Sequence, residues 1–152
     1  MKTFKDRNEK SWTVDINVRT VKRVKSMLEV NLLEALEGKL ITKLAADPIL
    51  LCDVIYVICK PEADEAKITD EQFGAAMAGD AIESATEALL AELVDFFPQA
   101  KRRALRKALE KYKKVQELAV ETAVNYLDSE DVNNQIENAL KGITNSFGNL
   151  PE

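Results

Sequence analysis

Trp12-Thr13-Val14-Asp15-Ile16-Asn17-Val18 alternates apolar and polar side chains without a fault. That places Trp12, Val14, Ile16 and Val18 on one face of a strand. Upstream, Thr3-Phe4-Lys5 can pair with it across the polar loop Asp6-Arg7-Asn8-Glu9-Lys10, in which Asn8 suits a left-handed conformation. The pattern predicts an N-terminal β-hairpin over residues 3–18. A lone hairpin is marginal in water, so its apolar face must lie on helices or on another chain's strands.

From Thr20 the period changes to that of a helix, with Val21, Val24, Met27 and Leu28 on one side and Lys22, Arg23 and Ser26 on the other. Asn31-Leu32-Leu33-Glu34 reads as a capping box, and Gly38 divides two short helical pieces near 31–37 and 39–46. Asp47-Pro48 supplies an N-cap followed by proline at the first helical position. The segment it opens, Ile49 to Cys59, is apolar nearly all round and predicts a central buried helix ended by Lys60-Pro61. Residues 61–68 read as a charged connector, and Thr69-Asp70-Glu71-Gln72 as a second capping box. Gly79 stops that short helix, and Ile82, Ala85, Leu89, Leu90, Leu93 and Phe97 line the next, whose outer face is acidic.

Pro98 is expected both to end that helix and to begin a long one running to about Asp128. In it Leu105, Leu109, Tyr112, Ala119, Ala123 and Tyr126 follow heptad spacing, broken at Gln116. The half from Val115 to Leu127 is more apolar on all sides than the basic half before it and is expected to be buried. Ser129-Glu130-Asp131 caps a last helix that Gly142 should end. The expectation is a mainly α-helical α+β fold: a β-hairpin and a compact bundle of about six helices, in one domain over 1–142. Residues 143–152 would form a flexible C-terminal tail.

Composition narrows the chemistry. At 152 residues, 46% hydrophobic and 31% charged, the chain suits one globular domain. Its apolar runs are too short for a membrane span, and a charged start without an apolar stretch points to the cytoplasm of the cell that makes it. The absence of histidine removes the commonest general base and metal ligand. Cys52 and Cys59 lie seven apart on one helix face, too far for a disulfide, and read as small core residues. Glu83 with Glu87, and Glu117 with Glu121, read as solvated helix surface, and no glycine pattern cradles a phosphate. No catalytic residue, cofactor or metal site is expected.

Charge comes in blocks: +3 over residues 1–61, -9 over 62–97, +7 over 98–114 and -6 over 115–152. Lys101, Arg102, Arg103, Arg106 and Lys107 form a candidate electrostatic face that could track phosphates. Against nucleic acid stand a pI near 5 and a basic run with only Tyr112 for stacking. The plainer expectation is pairing with the acidic helices, within the molecule or between copies, so self-association is permitted. Trp12, Val14, Ile16, Phe96, Phe97, Leu105, Leu109 and Tyr112 are the candidate protein-binding residues. Exposed in part, they would form an interaction surface; buried, they would be core.

Phe4-x-Asp6, the short polar turn, the strand Trp12 to Val18, Val21-Lys22-Arg23-Val24 and Val30-Asn31-Leu32-Leu33 together resemble the tail assembly chaperones of tailed phages and prophages. The resemblance covers roughly residues 3–97, and Glu9-Lys10 stand where that family often has a glycine in the first turn. It implies a short hairpin before a helical body. It also implies a non-enzymatic helper in the bacterial host cytoplasm, which coats the long tape measure protein until tail-tube subunits assemble around it. Two rival readings remain: a structural virion component, such as a tail-completion or head-tail connector protein, and a nucleic-acid-binding regulator using residues 101–114.

Overall fold

The computed structural model describes residues 1–148. The chain is mainly helical with a small β part: a two-stranded antiparallel hairpin followed by about nine helical segments. It divides into two units, Met1–Ala108 and Leu109 onward, the boundary falling inside a continuous helix.

In the first unit β1 (Lys2–Lys5) pairs with β2 (Ser11–Val14), with Phe4 opposite Trp12. The connection is a turn closed by Glu9 N–H donating to Asp6 O at 3.1 Å and Asp6 N–H donating to Lys10 O at 2.9 Å. Glu9, not Asn8, takes the left-handed conformation, with φ 66. A three-residue hairpin loop of this kind needs its left-handed residue just before the second strand, and Glu9 occupies that place. Asp6 holds the loop: its Oδ1 accepts from Asn8 and Lys10 N–H at 2.8 and 3.0 Å, and its Oδ2 accepts from Trp12 Nε1–H at 2.9 Å.

The strand stops at Val14 instead of running to Val18. Asn17 caps α1 (Val18–Leu28), its side chain accepting from Thr20 N–H, so Val18 becomes the first helical residue and is exposed. The local side chain-to-backbone bond outcompetes the alternating pattern for the last residues. A 3-10 helix (Leu32–Glu37) follows, capped by Asn31, and Gly38 at φ 78 turns the chain into α2 (Lys39–Ala46). Asp47 accepts from Ile49 and Leu50 N–H and opens α3 (Pro48–Ile58).

Residues 60–65 are helical, contrary to the expected connector: α4 (Lys60–Glu65) begins at once, with Pro61 in its first turn. A proline there removes only a donor the helix would leave unpaired, so it starts the new helix as readily as it stops the old. The reciprocal capping box of Thr69 and Gln72 opens α5 (Asp70–Ala76), and Gly79 at φ 60 precedes α6 (Asp80–Phe96).

Helix α3 is the centre of this unit, packing against α1, α2, α4, α5 and α6, while α6 lies along β1. Leu51, Val54, Ile55, Val57 and Ile58 are buried, as its all-round apolar sequence requires. Trp12 meets Phe73 edge-on with centroids 5.0 Å apart, and Tyr56 adjoins Phe73 at 5.3 Å. Phe97 is extended and Pro98 O accepts from Arg102 N–H, so Pro98 separates α6 from α7 (Gln99–Leu127) as expected.

The second unit holds the end of α7 and α8 (Glu130–Gly148). Gly142 does not end α8, so residues 143–148 are helical and not tail; residues 149–152 lie outside the described residues. One interior glycine costs a helix about 1 kcal/mol, which the continuing Ile136, Leu140, Ile143 periodicity tolerates.

Candidate protein-binding surface

The expected binding residues separate into core and surface. Trp12 and Val14 are 0% exposed, and Ile16, Phe97 and Leu105 are also buried. They offer no area to a partner and stabilise the first unit instead, because the hairpin's apolar face is already covered by this chain's own helices. Phe96, Leu109 and Tyr112 are half-buried, with Phe96 stacked edge-on to Phe97 at 5.4 Å.

Of the basic residues, Arg102 donates to Phe97 O and Asp95 O, and Arg106 lies 3.4 Å from Asp95 Oδ1. Lys101, Arg103 and Lys107 are exposed. The acidic helix α6 therefore engages the near end of the basic block through a single carboxylate, and the expected broad pairing does not form in the first unit.

The largest departure lies in the second unit. Val115, Leu118, Val120, Val124, Tyr126 and Leu127 of α7 are exposed, Val115 by 62%, where burial was expected. Ile136, Leu140 and Ile143 of α8 are exposed too, Leu140 by 58%, and Val132 is the one buried apolar side chain of that helix among the described residues. Apolar pattern implies a cover; it does not say the cover belongs to the same chain. From the sequence, Ile136 and Leu140 mark the last helix but not a binding surface, although with Ile143 their spacing of four and three makes an amphipathic stripe. The polar groups from Val115 on are mostly acidic, Glu117, Glu121, Asp128, Glu130, Asp131 and Glu137 against Lys141, while Lys111, Lys113 and Lys114 stand just before Val115.

Both hairpin edges are poorly suited to pairing with copies of themselves. Asp6 N–H to Lys10 O sets Phe4 and Trp12 as a hydrogen-bonded pair, so Thr13 points its backbone away from β1. Glu62 Oε2 accepts from Thr13 N–H at 3.1 Å and the Cys59 thiol donates to Thr13 O at 3.4 Å, which closes the edge of β2. Two β1 edges side by side in antiparallel register would set Lys2 across from Lys5.

The remaining polar groups in the first unit are structural. Burial, with the Glu62 carboxylate nearby, pushes the Cys59 thiol up to about 12, so it is protonated and unreactive; Cys52 is half-buried. Buried Glu92 accepts from Ile16 N–H at 3.4 Å. Its Oε2 lies 3.1 Å from the N-terminal ammonium, an ion pair that neutralises the charge without forming a directed hydrogen bond. Among the described residues no group of His, Cys, Asp and Glu could hold a metal ion, and no helix is long and apolar enough to cross a membrane.

Comparison with protein-family models, curated proteins and solved structures finds no match for this chain.

Proposed function

We propose that this chain is a non-enzymatic binding protein that acts as a phage tail assembly chaperone, covering apolar stripes of the tape measure protein during tail morphogenesis. The observation that carries the reading is the exposed apolar surface of α7 and α8 in the second unit. A helix that leaves Val, Leu and Ile half or more exposed gains stability only when another surface covers them. A long helical client with apolar stripes supplies such a surface, and the chaperone supplies the reciprocal cover. The resemblance over residues 3–97 points to the same role.

A structural place in the particle, with the hairpin adding strands to a ring of identical subunits, is the weaker reading. Glu62 and Cys59 occupy the outer edge of β2, and Lys2 and Lys5 oppose self-pairing of β1. Co-expression with the tape measure protein tests the proposal: the client should move to the soluble fraction and copurify with this chain. Unchanged client solubility with no copurification contradicts it. Mass spectrometry of finished particles separates the two readings, since a chaperone leaves and a component stays.

A further inference from the structure

We propose that α7 pairs antiparallel with the α7 of a second copy of this chain, along the side that carries Ala108, Val115, Leu118 and Thr122. The pairing goes beyond the chaperone reading and does not rest on it. Those positions recur at seven, three and four, so they share one side of a continuous helix. All four are exposed, Val115 by 62% and Leu118 by 64%. Buried Leu105 and half-buried Leu109 and Tyr112 lie about 100° round the helix, so the packed side of α7 is a different one.

Charge names the occupant. Lys107, Lys114, Glu121 and Asp128 border this side at a spacing of seven, two cations followed by two anions, and all four are exposed. Asp128 stands just past the last residue of α7, held to it by its N–H donating to Val124 O at 2.9 Å. A repeat of seven drifts by about 20° per repeat on a straight helix, which the left-handed supercoil of a paired helix takes up. None of the four is in an ion pair among the described residues. A second α7 running the other way brings Lys107 to Asp128 and Lys114 to Glu121 in a single register, because the cations and the anions are each spaced by seven. Twofold symmetry makes each of these contacts twice. The same register sets Val115 of each copy beside Leu118 of the other, and the large Tyr126 level with the small Ala108.

Other arrangements fit the border less well. A parallel copy sets Lys107 and Lys114 against Tyr112 and Ala119, where no charge answers them. A foreign helix of one sign suits half of the border and is repelled by the other half, whereas the reversed copy suits both. Lys111 faces Thr122 in the seam, a polar layer that lowers affinity and fixes the register. Val120, Val124 and Leu127 lie on the far side of α7 and stay open to another partner.

Sedimentation equilibrium of the full chain tests the pairing. It should show monomer in equilibrium with dimer, the dimer weakening as salt rises from about 0.05 to 0.5 M. Lys107→Glu with Lys114→Glu, both at exposed positions and checked by circular dichroism for unchanged helicity, should raise the dimer dissociation constant at least about 10-fold, and so should Glu121→Lys with Asp128→Lys. The chain carrying all four substitutions regains every opposite-charge pair and should return to within about 3-fold of the starting value. A chain that stays monomeric up to about 0.5 mM overturns the proposal. So does a dimer indifferent to both double reversals, or a fourfold variant as impaired as the double ones, because these charges then do not face each other. Client binding is read separately: a dimer that leaves the tape measure protein insoluble keeps the pairing and loses the chaperone role, and a monomer that solubilises it does the reverse.

Discussion

Asp6 does more for the hairpin than any other single side chain. Its two carboxylate oxygens take three N–H donors, one of them the buried indole of Trp12. Removing it strands that indole inside the core, so Asp6→Ala should destabilise the chain by about 2–4 kcal/mol, and Asp6→Asn by less, in urea unfolding. Glu9 carries the opposite sign. An L-residue at φ 66 is strained where glycine is free, and the Lys5–Glu9 ion pair it forms is exposed and worth little. Glu9→Gly should therefore raise stability by about 0.5–1 kcal/mol by the same assay. Asp53 gives a pH signature. Partial burial first, then the Asp70 and Asp47 carboxylates, hold its carboxyl above the ordinary value of 3.8. A carboxyl whose folded value is raised favours the folded state below its unfolded value and loses that contribution as pH climbs through the folded one. Asp53→Asn should accordingly stabilise the protein at pH 7 and have no such advantage at pH 3, read from thermal midpoints at the two pH values.

Among the elements, α3 and the end of α7 look alike as sequence and differ as structure. Both carry more apolar side chains than one helix face needs; α3 is enclosed by five helices, and α7 from Val115 on is exposed. Periodicity reports that a surface needs cover and is silent on who provides it, which is why the hairpin, the caps at Asp47 and Thr69 and the buried α3 were legible while the fate of α7 and α8 was not. The same limit leaves Trp12, Val14 and Ile16 open between core and binding surface in the sequence, since their alternation reads identically whether the covering layer is internal or foreign. Short-range competition accounts for the other differences. The Asn17 cap shortens β2, Pro61 starts α4, and Gly142 is absorbed within α8. Elements with few buried contacts open locally at low free energy. Backbone amides of α8 in the free chain should therefore exchange on the order of 100-fold faster or more than those of α3 in hydrogen-exchange mass spectrometry. Comparable protection of the two would mean that α8 is held by contacts its exposure does not suggest.

At the scale of the whole molecule, the described core belongs almost wholly to the first unit, and the uncovered apolar surface belongs mostly to the second. The proposed function divides the labour in the same way: residues up to 108 hold the packed core, and the rest of the chain carries the proposed binding surface. A chain ended at Ala108 should keep a cooperative thermal transition within a few degrees of the full chain, since it retains α3 and everything packed on it. The most direct measurement is then copurification of the tape measure protein with the full chain and with the chain ended at Ala108, side by side. Recovery of soluble client with the full chain and its loss with the shortened one is the predicted result. Equal recovery with both, or none with either, would contradict the account.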